Sequence, residues 1–120
     1  MKKKISPSVM CADFFDLKNY IRQFEESKID MLHVDIMDGS FVPNYTLGTD
    51  FVKILKANTA IPLDIHLMVE NPESKLDWFQ LSPDDYVAVH CESTPHIHKA
   101  VAAVKNKGCR ALAALNPGTP

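Results

Sequence analysis

The sequence predicts an α/β fold on a parallel sheet, and three observations predict it. Strand-type and helix-type segments alternate at a repeat of about two dozen to thirty residues, the pattern of successive βαβ units. Two of the strand segments alternate strictly in polarity. One carries Leu32, Val34 and Ile36 on one face and His33, Asp35 and Met37 on the other. The second sets Leu63, Ile65, Leu67 and Val69 against Asp64, His66 and Met68.

Taken in order, Ile5 to Met10 reads as a first strand, with Pro7 marking an irregular or edge position. Asp13 is placed to cap a helix running to about Ser27, with Phe14, Leu17, Tyr20, Ile21 and Phe24 on one stripe. Residues 31–37 form the next strand. Asp38-Gly39 opens a long loop that ends near Gly48, where Thr49 caps a helix carrying Phe51, Val52, Ile54 and Leu55. Ile61-Pro62 begins a strand that runs to about Val69. Asn71-Pro72 then reads as a cap and first turn for a helix carrying Leu76, Trp78, Phe79 and Leu81. Residues 82–85 are a turn, and 86–90 a short buried-type strand. A helix begins at Ser93-Thr94-Pro95, carries Ile97, Ala100, Val101 and Val104, and ends at Gly108. Ala111 to Leu115 is the fifth strand, followed by a loop at 116–120.

Two parallel-sheet architectures fit this order, an open doubly wound sheet and a (β/α)8 barrel. An open sheet is covered by helices on both sides, so both faces should be apolar. Here two strands carry His, Asp and Met on one face, toward their C-terminal ends, where barrel enzymes build their sites. No glycine-rich phosphate loop follows the first strand. The reading is therefore a TIM-type (β/α)8 barrel, with residues 1–120 inside a single domain.

Bulk properties exclude several function classes. The chain has 120 residues, 46% of them apolar, and a net charge of −2, which is a globular composition. The basic run Lys2-Lys3-Lys4 reads as a solvated terminus, so no nucleic-acid partner is expected. No apolar stretch is long enough for a bilayer, and no apolar core follows the basic residues as in a signal peptide. Cys11, Cys91 and Cys109 are odd in number and lack Cys-x-x-Cys spacing, which points to free thiols in a reducing, cytoplasmic setting.

The polar faces carry the chemistry. Imidazole and carboxylate together suit one divalent ion such as Zn2+, Fe2+, Mn2+ or Co2+. His33, Asp35 and His66 would supply three ligands and leave room for a fourth and for substrate; the alternative reading is an internal hydrogen-bonded His–Asp pair with Met37 and Met68 as core filler. A bound carboxylate can also remove a proton α to a polarised carbonyl. Met37 and Met68 would form a water-poor wall over the product of that step. Asp64 either joins the ligands or orients a ring. His90 either borders the same pocket or belongs to the core. Ser8 can bind a substrate hydroxyl, and Asn116 either donates to a ligand or caps its turn. His96-x-His98, two apart on a helix, reads as surface.

These residues bring a family into view. Ile5-Ser6-Pro7-Ser8 with Ala12-Asp13-Phe14, the block His33-Val34-Asp35-Ile36-Met37-Asp38-Gly39-Ser40-Phe41-Val42-Pro43-Asn44, then Pro62-Leu63-Asp64-Ile65-His66-Leu67-Met68, and Leu115-Asn116-Pro117-Gly118-Thr119 resemble the ribulose-phosphate 3-epimerases in order and spacing, from Lys4 to Pro120. The resemblance implies a (β/α)8 barrel of which this chain covers about (βα)4 plus the fifth strand. It implies an isomerase of the pentose phosphate pathway that inverts C3 of D-ribulose 5-phosphate to give D-xylulose 5-phosphate through an enediolate. It further implies a metal held by His33, Asp35 and His66, with Asp35 as an acid–base carboxylate. Ser8, His66, Met37, Met68 and Asn116 would contact the sugar phosphate, and a homo-oligomer is expected. A related activity on D-allulose 6-phosphate is the alternative: Met10-Cys11 leans toward it, whereas His90 and residues 116–119 lean toward the pentose. The family's second catalytic aspartate, on a seventh strand, and its phosphate loops fall outside residues 1–120. A chain ending at Pro120 would be a half-barrel with an incomplete site.

Overall fold

The computed structural model describes residues 3–120; Lys2, part of the basic run, lies outside them, while Lys3 and Lys4 are exposed. Its centre is a five-stranded sheet of β1 (Leu32–Asp38), β2 (Tyr45–Thr46), β3 (Leu63–Met68), β4 (Tyr86–His90) and β5 (Arg110–Ala114), in the order β2-β1-β3-β4-β5. All neighbours are parallel except β1 and β2. The helices are α1 (Leu17–Glu26), α2 (Thr49–Asn58) and α3 (Ile97–Asn106). This is the α/β part-barrel that the alternation predicts.

One face of the sheet is apolar because the strands alternate. Leu32 and Val34 of β1, Leu63, Ile65 and Leu67 of β3, and Val87 and Val89 of β4 are almost wholly buried. They pack with Ile21 of α1, Val52 and Leu55 of α2, and Ala100 and Val104 of α3. Each such side chain contributes about 1.5–3 kcal/mol on burial, which makes this face the main source of stability. The opposite face keeps the polar alternates. The β1–β3 register sets His33 beside Asp64, Asp35 beside His66 and Met37 beside Met68.

Several elements depart from the sequence reading. The expected first strand shrinks to one parallel pairing of Ser8 with His33, followed by a 3-10 turn at Val9–Cys11. Residues 5–8 still follow β1: His33 N–H donates to the Pro7 carbonyl at 2.9 Å, and Met31 N–H to that of Ile5 at 3.2 Å. Pro7 has no N–H to return, which keeps this edge irregular. Asp13 does cap, accepting from Phe15 N–H at 2.9 Å, but through a 3-10 turn at Phe14–Asp16 that leads into α1. Lys28, at φ 51°, ends α1 in the left-handed conformation, and Ile29 N–H donates back to the Phe24 carbonyl at 3.3 Å.

The expected helix after Asn71 is two 3-10 turns, Pro72–Ser74 and Leu76–Trp78. Asn71 itself sits at φ 48° and makes no side-chain cap, so regular helix never starts. Gly48, not Thr49, occupies the cap position of α2. Residues 91–93 form a 3-10 turn, so α3 begins later than Ser93-Thr94-Pro95 implies. The strand β2 has no counterpart in the sequence reading; Tyr45 and Thr46 fold back on Asp38 and Met37. Gly39, at φ 75°, permits that reversal.

Candidate metal centre

The site lies on the polar face, where three neighbouring strands present one side chain after another. His33 Nε2 stands 3.0 Å from Asp35 Oδ1, and His66 Nδ1 stands 3.0 Å from the same oxygen. One ligand atom from each of these three residues fits within 4.8 Å of the others. The convergence follows from period and register. His33 and Asp35 share a face because they are two apart, and Asp35 and His66 are direct partners across β1 and β3. All three are part-buried, a setting where opposite charges act strongly.

Surrounding groups orient the ligands. Asp64 Oδ2 lies 2.8 Å from His33 Nδ1 and accepts from Ser6 Oγ at 3.0 Å. The Asp64 hydrogen bond raises the basicity of His33, against a lesser effect of burial. Burial presses the Asp64 carboxyl upward, but its bonds from His33 and Ser6 outweigh that and hold it below its ordinary value. Burial dominates at His66 and lowers its basicity. Ser8 Oγ reaches Asp35 Oδ2 at 3.5 Å, a long contact. Met37 and Met68 are register partners at the C-terminal ends of β1 and β3. Asn116 does not join this cluster through its side chain; its backbone N–H donates to Glu92 Oε1 at 2.6 Å.

The donor set fits a divalent cation. An ionised Asp64 accepts a hydrogen bond from His33 Nδ1–H, which leaves a lone pair on Nε2 of the neutral ring. That lone pair faces Asp35 Oδ1, another acceptor. Two acceptors at 3.0 Å need a positive charge between or beside them, supplied by a proton or a metal. Two nitrogen donors and a carboxylate suit Zn2+ and its neighbours, and the hydrogen-bonded outer carboxylate is the usual partner of a metal-bound imidazole.

Sequence reasoning singles out His33, Asp35, His66 and Asp64, and these four meet. Asp64 takes the orienting place rather than a place among the three converging ligand atoms. Ser6 escapes that reasoning, because a serine on an irregular edge carries no periodic signal. Glu92 escapes it as well; it lies beyond β4 in a 3-10 turn. His90 stands with the site: its Nε2 is 2.7 Å from His66 Nε2. His96 and His98 are exposed, as their helical spacing suggests.

The loop after β1 is pinned over this face by Asp38. Its carboxylate accepts from Ser40 and Phe41 N–H at 2.9 Å each, from Glu70 N–H at 2.9 Å and from Lys75 Nζ at 3.2 Å. That places the Phe41 ring 5.0 Å from the ring of His90. Burial alone would raise the Asp38 carboxyl; the bonds from Glu70, Phe41 and Ser40, then Lys75, outweigh it and hold it well below 3.8. A lowered folded-state value stabilises the fold above the unfolded value, and the gain is lost as pH falls through the folded one. Asp38→Ala is expected to cost about 2 kcal/mol near neutral pH, since it strands three backbone donors. Urea midpoints of parent and variant should converge as the medium is acidified below 3.8.

Comparison with known proteins adds a second line. Residues 4–120 match the model of the ribulose-phosphate 3 epimerase family. A ribulose-phosphate 3-epimerase of Bacillus subtilis is 41% identical over 117 residues, covering 98% of this chain and 54% of the relative. A chloroplastic ribulose-5-phosphate-3-epimerase of Arabidopsis thaliana is 44% identical over 118 residues, covering 97% of this chain and 42% of the relative. A ribulose-phosphate 3-epimerase of Methanocaldococcus jannaschii is 38% identical over 117 residues, covering 98% and 49%. The chain spans about half the length of the curated relatives it matches.

Proposed function

Since the chain belongs to the ribulose-phosphate 3-epimerase family, we propose that residues 1–120 are the N-terminal portion of a single (β/α)8 barrel domain that inverts C3 of a ketose phosphate, with a metal ion at the site. The observation that carries this reading is the convergence of His33 Nε2 and His66 Nδ1 on Asp35 Oδ1. D-ribulose 5-phosphate is the substrate in this reading, with D-xylulose 5-phosphate as product; the names of the relatives support it.

His33, Asp35 and His66 would hold the metal. A divalent ion such as Zn2+, Fe2+, Mn2+ or Co2+ would supply Lewis acidity toward the substrate's oxygens. Asp35 Oδ2, the oxygen that meets Ser8 Oγ at 3.5 Å while Oδ1 meets both histidines, would take the C3 proton. The electrons of the broken C–H bond move into C2–C3 and give the enediolate. Return of a proton to the opposite face of C3 inverts that carbon. The resemblance assigns this return to a carboxylate on a seventh strand, outside residues 1–120. Met37 and Met68 would exclude water at the ends of their strands, with Ser8, His66 and Asn116 as substrate contacts.

Among the described residues no helix is long and apolar enough to cross a membrane. Cys11, Cys91 and Cys109 are free, which supports a reducing, cytoplasmic setting, and the family supports a homo-oligomer.

The test is C3 proton exchange. The protein incubated with D-ribulose 5-phosphate in D2O should incorporate deuterium at C3 and form D-xylulose 5-phosphate. Chelation should stop both, and Co2+ should restore them. Exchange that survives full chelation overturns the metal requirement. A Co2+-loaded protein that exchanges no C3 proton overturns the catalytic reading and favours a half-barrel that only binds metal.

A further inference from the structure

Beyond the ligands, a second chain of contacts runs into the site from β4. His66 Nε2 lies 2.7 Å from His90 Nε2, and the two rings stack with centroids 4.9 Å apart at 26°. His90 Nδ1 in turn lies 3.2 Å from Glu92 Oε2. The His90 side chain is only 7% exposed and has the Phe41 ring against it, so little of it is open to solvent.

We propose that His90 and Glu92 form a positioning pair that fixes the tautomer of His66 and thereby aims its Nδ1 lone pair into the metal centre. The argument is one of proton counting. Glu92 is held ionised, because the Thr119 hydroxyl and Asn116 N–H both donate to its Oε1 and bring its carboxyl down to about 2. An ionised carboxylate only accepts, so His90 Nδ1 carries a proton. A neutral His90 then has a lone pair on Nε2. The 2.7 Å contact with His66 Nε2 needs one donor, and His66 must supply it. A neutral His66 with its proton on Nε2 has its lone pair on Nδ1, which faces Asp35 Oδ1 at 3.0 Å, and a cation held between these two acceptors would close the count, as it would between His33 and Asp35.

The result mirrors the other side of the site. There Asp64 accepts a hydrogen bond from His33 Nδ1–H and leaves the Nε2 lone pair toward Asp35. Two carboxylates at the two ends of the cluster, Asp64 and Glu92, thus set two tautomers. One acts directly and the other acts through an intervening imidazole. Each histidine presents a lone pair at the same oxygen. An outer partner that fixes a ligand's tautomer typically changes metal affinity about 10–100-fold when removed.

The pair also reaches past the site. The same Glu92 oxygen that Asn116 and Thr119 contact belongs to the carboxylate that orients His90. The loop after β5 is therefore tied to His66 through two side chains, although neither Asn116 nor Thr119 reaches the ligands directly. The geometry gives that loop a role in ligand preparation distinct from any contact with substrate.

This inference rests on the metal reading above, and its test separates the two. Nitrogen-15 NMR of the Zn2+-loaded protein should show the proton of His66 on Nε2 and that of His90 on Nδ1. Titration with Co2+ should give an affinity about 10–100-fold weaker for His90→Phe, which keeps the ring against Phe41 but removes both nitrogens. His90→Gln offers an amide oxygen to His66 and an amide N–H to Glu92, and should recover most of that loss. Equal Co2+ affinity in parent and His90→Phe overturns the proposal. So does a His90 ring protonated on Nε2 rather than Nδ1 in the Zn2+-loaded parent, a result that does not depend on either variant folding. A parent that binds neither Zn2+ nor Co2+ overturns the metal reading itself, whereas a parent that binds both with the other His90 tautomer overturns only the positioning pair.

Discussion

Asp35→Asn is expected to remove C3 proton exchange and to weaken divalent-metal binding by on the order of 100-fold or more. Asp35 is the meeting point of the site: one of its oxygens faces both ligand imidazoles, and the other faces Ser8. An amide keeps the shape but loses the negative charge that balances a dication. It also loses the basic oxygen, since an amide does not take a proton at neutral pH. Both losses follow from one atom change, so they should appear together in deuterium exchange and in Co2+ titration. An Asp35→Asn protein that binds Co2+ as the parent does, yet exchanges no proton, would remove Asp35 from the ligand set and keep it as the base. Retained exchange would remove it from catalysis.

Asp85→Ala is expected to cost about 3–5 kcal/mol of stability, a large part of the roughly 5–15 kcal/mol that holds a typical domain folded. Asp85 is fully buried just before β4, at the opposite end of that strand from His90. Its carboxylate accepts from Leu63 N–H at 2.9 Å and from Ser82 N–H at 2.7 Å, and pairs with Lys56 of α2. The alanine variant would strand two backbone donors and a Lys56 ammonium only 12% exposed. Urea unfolding of the parent and variant measures the loss directly. The double variant Asp85→Leu/Lys56→Met should recover part of it, because no unpaired charge then stays buried. A loss below about 1 kcal/mol for Asp85→Ala would show that water reaches the site and replaces the carboxylate.

The sheet and the His/Asp cluster on its polar face are legible in the sequence for the same reason. In β1 and β3 the hydrophobic period is two, so apolar and polar residues separate cleanly, and the polar set names the chemistry. His33, Asp35 and His66 need only one assumption, that β1 and β3 are neighbours, and they are. The departures share a different cause. Residues 5–8 bond to β1 through the backbone, and residues 71–81 turn tightly around an Asn71 at φ 48°. Neither depends on a side-chain pattern. Glu92 is out of reach because its role depends on the loop at 116–119 folding back to it, a contact 24 residues away. Asp85, for its part, sits in a turn sequence that looks like any solvated one; burial alone gives it weight.

The pairing of β1 with β3 carries a further consequence. Chemistry and hydrophobicity are written on the same two strands with the same period. A slip of β3 by a single residue against β1 would exchange its two faces. His66 would then turn toward the helices, and Ile65 or Leu67 would enter the candidate metal centre in its place. Misfolding at this seam would therefore be punished twice, by lost burial and by lost ligands, so metal added during refolding should act as a proofreader that retains the correct alignment.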